Sequence, residues 1–124
     1  MPFEYVIDKE RRLIIATAEG AVTVAEVRSK ISRLLADPDF DRDLNELIDA
    51  TRVTRLYVPV SQALEFAGQA ILSKTSRTAW VVTKSTIWKT LADLFAAYMN
   101  LHTECQVFHD VASALQWIGA DTFI

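Results

Sequence analysis

The segment CQVFHDVASALQWIG, Cys105–Gly119, shows how this chain is built. Its first four residues have the apolar, β-prone character of a buried strand. Asp110 is a typical helix N-cap, because its carboxylate can accept a hydrogen bond from a free backbone N–H of the first turn. Apolar residues then recur at helical spacing, at Val111, Ala114, Leu115 and Ile118. The segment therefore predicts a strand that leads directly into a helix.

The same unit of strand and helix recurs toward the N-terminus. Two β-prone runs, Glu46–Val53 and Arg77–Thr83, each precede an apolar stripe at helical spacing. Two more, Phe3–Ile7 and Leu13–Ala18, flank the charged turn DKERR and predict a hairpin. The predicted order is strand, strand, helix, strand, helix, strand, helix, strand, helix. It predicts an α/β fold with a five-stranded mixed sheet, mostly parallel with an antiparallel first strand, and four main helices.

Particular residues mark the ends of the first two predicted helices. Thr23 and Glu26 have the spacing of a capping box and predict the start of the first helix. Asp37 is predicted to end it, since the residue before a proline disfavours helical backbone. Pro59 is predicted in the first turn of the second helix. The buried face of the first helix is predicted to contain Val24, Val27, Ile31, Leu34 and Leu35.

The predicted third helix carries a wide apolar stripe. Its members are Ile87, Trp88, Leu91, Leu94, Phe95, Tyr98 and Met99. This is more apolar surface than one helix face needs to cover a sheet. Either the helix is deeply buried, or part of the stripe forms a ligand pocket or a dimer surface.

Composition limits the classes of protein that fit the sequence. The 124 residues suit one domain, 1–124, and the 51% apolar and 23% charged residues are typical of a globular protein. A net charge of −3 argues against a nucleic-acid partner, because such proteins usually carry a basic face. We find no apolar run that is long enough for a membrane span or a signal peptide. The single Cys105 cannot form an internal disulfide, so we expect a cytoplasmic protein.

Several segments together resemble a known family. They are Gly20 before TVAEV, the DPDF segment Asp37–Phe40, ELIDATRV, RTAWVV and the closing VFHDVASALQWIG. Their order is similar to that of the STAS domain of bacterial anti-sigma-factor antagonists, and more specifically to the SpoIIAA-like family of small stand-alone bacterial proteins. The resemblance covers nearly the whole chain. It implies a STAS-like fold and a non-enzymatic regulatory or protein-interaction module without a cofactor, which binds a protein partner or itself.

The resemblance also implies a candidate phosphoacceptor. Regulatory STAS domains carry a phosphorylated serine at the start of the helix after an Asp-ending strand, usually in an Asp-Ser-Ser/Thr-Gly pattern. This chain has Asp49 and, after the longer insert ATRVTRLYVP, Ser61, but it lacks the tetrapeptide. Ser61 is therefore either the phosphoacceptor or a polar first-turn residue that satisfies a free helix N–H.

A second class of function, small-molecule binding, comes from the loops that follow the strands. Ligands of open parallel sheets usually bind beyond the carboxyl ends of the strands, and helix N-termini attract anions. The candidate ligand-binding residues there are Asp49, Arg52, Lys84, Ser85 and His109. They predict a site for an anionic ligand, with an apolar ligand against the third helix as a variant. The alternative is that these residues only cap helices and contact solvent.

Catalysis is less well supported by the sequence. Cys105 lies in an apolar strand, where it is expected to be a small core residue rather than a nucleophile. His102 and His109 lack the spacing of metal ligands, and the acidic run DPDFDRD lacks the glycine and final glutamate of a calcium loop. We therefore expect neither an enzyme nor a metal site.

Overall fold

The computed structural model describes residues 3–69, 71–84 and 104–119. Its elements are β1 (Phe3–Asp8), β2 (Leu13–Thr23), α1 (Val24–Ala36), β3 (Asn45–Tyr57), α2 (Val60–Gly68), β4 (Arg77–Val81), β5 (Glu104–Phe108) and α3 (Val111–Ile118). Among the described residues there are thus three helices rather than the predicted four. The predicted helix with the wide apolar stripe, residues 87–99, lies outside them.

The strands form one 5-stranded sheet in the order β1-β2-β3-β4-β5. β1 is antiparallel to β2, and the remaining neighbours are parallel, so the predicted mixed sheet is confirmed. The hairpin between β1 and β2 turns at Arg12, whose φ of 51° lies in the left-handed region. The backbone of Arg12 bonds on both sides, because its N–H donates to Lys9 O at 3.3 Å and its carbonyl accepts from Asn45 N at 3.1 Å. Its Nη2 also donates to Asp41 Oδ2 at 3.1 Å.

The two faces of the sheet carry different helices, because successive residues of a strand point to opposite sides. Leu13 belongs to a core cluster that includes Ala114 and Ile118 of α3. Its neighbour Ile14 belongs to a cluster that includes Leu34 of α1. We refer to these two sides as the α3 face and the α1 face.

The boundaries of α1 follow the sequence, but its buried face does not. Thr23 is the N-cap and the helix ends at Ala36, as predicted. The capping box itself is different, because Thr23 Oγ1 bonds Glu26 Oε1 at 3.3 Å and not a backbone N–H. Leu35, predicted to be buried, is 53% exposed, whereas Lys30 is only 4% exposed. The predicted stripe is therefore wrong at Leu35 and misses Lys30.

β2 and β3 are longer than the sequence predicted. β2 continues through Gly20 to Thr23, and Gly20 has a φ of 68°, which glycine adopts without strain. β3 continues through the segment that the sequence analysis treated as an insert, and it ends at Tyr57. The two strands pair as far as Thr23 and Tyr57. We call the paired segments Glu19–Thr23 and Arg52–Tyr57 the ribbon.

Candidate functional site

Asp49 lies in the middle of β3 and not at its end, which corrects the prediction. In the register of the sheet it is level with Val81, the last residue of β4, and with Phe108, the last residue of β5. Its Oδ1 accepts hydrogen bonds from Thr51 N at 3.0 Å and from Thr51 Oγ1 at 2.7 Å. Asp49 therefore marks the row at which β4 and β5 end, whereas β2 and β3 continue beyond it as the ribbon.

Two of the predicted ligand residues, Lys84 and His109, lie near one carboxylate. Asp110 caps α3 by accepting from Ser113 N at 2.7 Å, and this bond lowers the pKa of Asp110. The charges of His109 and Lys84 lower that pKa further, although by less. His109 Nδ1 also lies 3.2 Å from Val82 O. The N-terminus of α3 thus already has a carboxylate of its own chain, with two basic side chains beside it.

Arg52 is separated from that group, because it lies on the ribbon. Its Nη1 is 4.0 Å from Glu19 Oε2, and its side chain is 76% exposed. Ser85 lies outside the described residues. The structure therefore brings together Lys84, His109 and Asp110 but gives Arg52 a different acidic neighbour. The predicted ligand site remains a prediction.

Ser61 lies in the first turn of α2 and is exposed. Pro59 is the N-cap of this helix, one position before the predicted first turn. The next residue along, Gln62, accepts a hydrogen bond from Arg28 Nη2 of α1 at 3.3 Å through its Oε1. Phosphorylation of Ser61 remains a prediction, and the exposed position at a helix N-terminus is one where a phosphate group is favourable.

The ribbon is the feature of this end that the sequence analysis missed. β4 pairs with β3 only from Glu46 to Asp49. From Thr51 to Tyr57, the edge of β3 that continues past β4 is bordered by no strand within the part of the chain that the structure describes. Polar and apolar residues do not alternate in TRVTRLY, so the signal for a strand there is limited to its β-branched and aromatic residues.

A bulge decides which side chains share a face of the ribbon. Gly20 pairs with Val53 but Ala21 pairs with Arg55, so Thr54 is an extra residue on β3. The alternation on β3 therefore shifts by one residue after Val53. Three side chains are placed on the α3 face opposite Glu19, Ala21 and Thr23: Arg52, Arg55 and Tyr57.

The three side chains on this face form an exposed basic and aromatic patch. Arg55 Nη1 donates to Tyr57 Oη at 3.2 Å, which agrees with their position on the same face. Tyr57 is 55% exposed. On the opposite, α1 face of the ribbon, Val53 packs against the core cluster that contains Val22. The ribbon is thus anchored on one face and open on the other.

In contrast to the exposed patch on the ribbon, a second set of polar residues is buried beneath α1. Lys30 Nζ forms an ion pair with Glu46 Oε2, and both side chains are buried. The Lys30 ammonium also lies 5.3 Å from the centre of the Phe3 ring. Glu46, Thr78 and Cys105 are neighbours in one row across the sheet. Only Cys105 of this row was predicted in the core, because periodicity assigns core positions to apolar residues.

Cys105 is buried within that row, as predicted. Burial raises the pKa of the Cys105 thiol to about 12, a hydrogen bond with Trp80 acts in the opposite direction, and the Glu46 carboxylate adds to the rise. A thiol with such a pKa is protonated at neutral pH, and the thiolate is the nucleophilic form.

These observations define the class of the protein: an α/β domain with a mixed sheet, an antiparallel first strand and helices on both faces. A family model described as SpoIIAA-like matches residues 13–119, and the chain belongs to the SpoIIAA-like family.

The fold is shared with a crystal structure. That structure is of an uncharacterized protein of the DUF3478 family with a SpoIIAA-like fold from Shewanella loihica PV-4. The two are 15% identical with a TM-score of 0.64, over 94% of this chain and 91% of that chain. No curated protein matches this chain. Within the described residues, no helix is both long and apolar enough to cross a membrane.

Proposed function

We propose that the chain is a non-enzymatic regulatory module of a bacterial cell that acts by binding another protein. The observation that carries this proposal is the ribbon, which combines a strand edge that no described strand borders with exposed cationic and aromatic side chains. Exposed strand edges pair readily with other chains, and proteins usually shorten or cover them. Arginine and tyrosine are also among the residues enriched in protein interfaces.

The family supports the same kind of role. The chain belongs to the SpoIIAA-like family, and its STAS-like resemblance implies regulation through protein contacts. We place the module in the cytoplasm, where reducing conditions suit a lone thiol such as Cys105. Because the Cys105 thiol is buried and protonated, we assign it to the core and not to catalysis.

A small anionic ligand is the second candidate function. The observation that favours it is the approach of Lys84 and His109 to the N-terminus of α3. Against it stands the Asp110 carboxylate, which already occupies the free N–H of Ser113. An added anion would meet a negative charge at the point where the helix would otherwise attract it.

A native mass spectrum of the protein, purified gently from the cells that produce it, separates the two candidates. We expect a complex with a second protein, or a homodimer, and no retained small molecule. Monomeric protein with a stoichiometric small molecule would contradict the proposal and favour the ligand-binding alternative. Monomeric protein with neither partner nor ligand would also contradict it.

A further inference from the structure

Building on the interaction role above, we propose that the open edge of β3 binds an extended segment of a partner protein that carries acidic residues at alternate positions. The backbone of the ribbon and the charges on one of its faces support this assignment.

The backbone provides the place for an added strand. β4 stops pairing with β3 at Asp49, whereas β3 continues in extended conformation to Tyr57. An incoming strand would therefore continue the line of β4 and pair with residues 51–57 of β3. Main-chain hydrogen bonds supply affinity in such strand addition, and alternate side chains supply specificity.

The side chains on the α3 face specify the charge of the incoming strand. The only charged residues of β3 between Thr51 and Tyr57 are Arg52 and Arg55, and both are exposed. On the β2 side, Glu19 lies opposite Arg52, but Ala21 lies opposite Arg55. Arg55 thus has no carboxylate across from it on β2, and a strand on the open side can supply one.

The register gives the spacing of the acidic residues. On β2, the three residues that face Arg52, Arg55 and Tyr57 are two positions apart, at Glu19, Ala21 and Thr23. A regular strand on the other side of β3 would face the same three side chains with the same spacing. We therefore expect an acidic residue, any residue, a second acidic residue, any residue, and then an apolar residue beside Tyr57. Strand direction only decides at which end the apolar residue lies.

The other open edge of the sheet differs in charge, and it provides a control. β1 pairs only with β2 among the described strands. On the same side as its exposed Val6, which is 62% accessible, β1 carries Glu4 and Asp8. Each of these carboxylates already has an arginine partner in this chain: Glu4 Oε2 lies 3.4 Å from Arg33 Nη1, and Asp8 Oδ2 lies 3.7 Å from Arg11 Nε. An acidic strand beside β1 would therefore place like charges next to Glu4 and Asp8, which is destabilising, and the nearby arginines are already matched. Acidic segments should therefore select β3 over β1.

Photo-crosslinking in the cells that produce the chain tests the site. A benzoylphenylalanine residue replaces Tyr57 in one variant and Val6 in the control variant. We expect the Tyr57 variant to crosslink to a segment with two acidic residues in alternate positions, and the Val6 variant not to crosslink to it. A crosslinked segment without that acidic pattern, or one from a second copy of this chain, would overturn the inference.

Charge reversal then tests the role of the arginines. A synthetic peptide of the crosslinked segment should bind the purified protein, and Arg52→Glu with Arg55→Glu should weaken that binding at least about tenfold. The matched control is Arg42→Glu with Lys74→Glu, which changes two exposed cations in loops away from the ribbon and should change affinity less than about twofold. Equal effects of the two double variants would overturn the inference.

The outcomes also separate this inference from the proposed function. Crosslinks to a partner from Val6 alone would leave the interaction role in place and overturn the assignment to β3. No crosslink from either position, in variants with native circular dichroism and no partner in the native mass spectrum, would overturn both.

Discussion

The two halves of β3 are built from one continuous strand but lie in opposite environments. Glu46, Leu47 and Ile48 are buried between β2 and β4, with a helix layer on each face. From Thr54 to Tyr57 every residue is exposed, and β2 is the only strand that pairs with this half among the described residues. The difference arises where β4 ends, because a strand without a second neighbour has one edge and part of a face open to solvent.

Charge is handled differently in the two halves. In the buried half, Glu46 is neutralised by Lys30, and the pair is shielded from water. In the ribbon, the Arg52–Glu19 contact is long and solvated. An ion pair is worth little when exposed, but a buried charge that loses its partner is costly. The first half therefore contributes to the stability of the domain, whereas substitutions in the second half should leave the domain folded.

The largest expected effect comes from breaking the buried ion pair. Lys30→Met leaves the Glu46 carboxylate buried without its partner and should lower the free energy of unfolding by about 3–5 kcal/mol. Lys30→Met combined with Glu46→Leu should recover most of this loss, because it removes both charges. The matched change on the ribbon, Arg52→Met, should cost less than about 1 kcal/mol. Urea denaturation measures all three, and a similar loss for Lys30→Met and Arg52→Met would refute the contrast.

Two leucines of the same strand give the next effect. Leu47 is buried in the core cluster on the α3 face, so Leu47→Ala should cost about 2–5 kcal/mol. Leu56 lies on the exposed ribbon, and Leu56→Ala should cost less than about 1 kcal/mol. Thermal denaturation of the two variants checks the difference. A cost of several kcal/mol for Leu56→Ala would mean that the ribbon belongs to the stability core.

The third prediction concerns alkaline pH. The pKa of Cys105 is raised by burial from 9.0 to about 12, so the unfolded chain loses this proton at lower pH than the folded chain does. Stability is therefore unaffected by this group below about pH 9 and falls as pH rises toward about 12. At pH 10 the loss should be about 1 kcal/mol. Cys105→Ala should show a shallower alkaline decline, and identical declines in both proteins would exclude the thiol as the cause.

The smallest effect on stability is expected at the alternative anion site. If Arg52 and Lys84 bind one anion, phosphate or a carboxylate should raise the melting temperature of the wild type, and Arg52→Gln with Lys84→Gln should weaken that binding by about ten- to a hundredfold. Folding itself should change little, because both cations are exposed. If millimolar anions shift both proteins equally, the two residues do not form a site.

The arrangement of strands was predictable from the sequence, because local patterns determine it. The apolar runs around DKERR predicted the hairpin, and Asp110 predicted the start of α3, where its carboxylate accepts from Ser113 N. The length of β3 was not predictable in the same way, since Pro59 and the polar residues before it suit a loop as well as a solvated strand.

The missed polar residues have a different cause. Lys30 occupies a core position that periodicity assigns to apolar residues, and only its pairing with Glu46, 16 positions away, makes that burial tolerable. Such a partner belongs to tertiary structure. The candidate ligand residues could not be assessed from the sequence for the same reason. The sequence placed Arg52 and Lys84 at one edge of the sheet. Only the tertiary structure shows that Glu19 lies beside Arg52 and that Asp110 lies beside Lys84.

The bulge at Thr54 is what keeps Arg55 and Tyr57 on the side of Arg52. If β3 alternated strictly through Thr54, Arg55 and Tyr57 would turn toward the α1 face and Leu56 would come to the side of Arg52. An in-frame deletion of Thr54 would remove only the extra residue, so Arg55 would follow Val53 directly and stay opposite Ala21. For sequence comparison, a one-residue gap at this position therefore preserves the ribbon surface, whereas a one-residue gap between Arg55 and Tyr57 would turn Tyr57 to the other face.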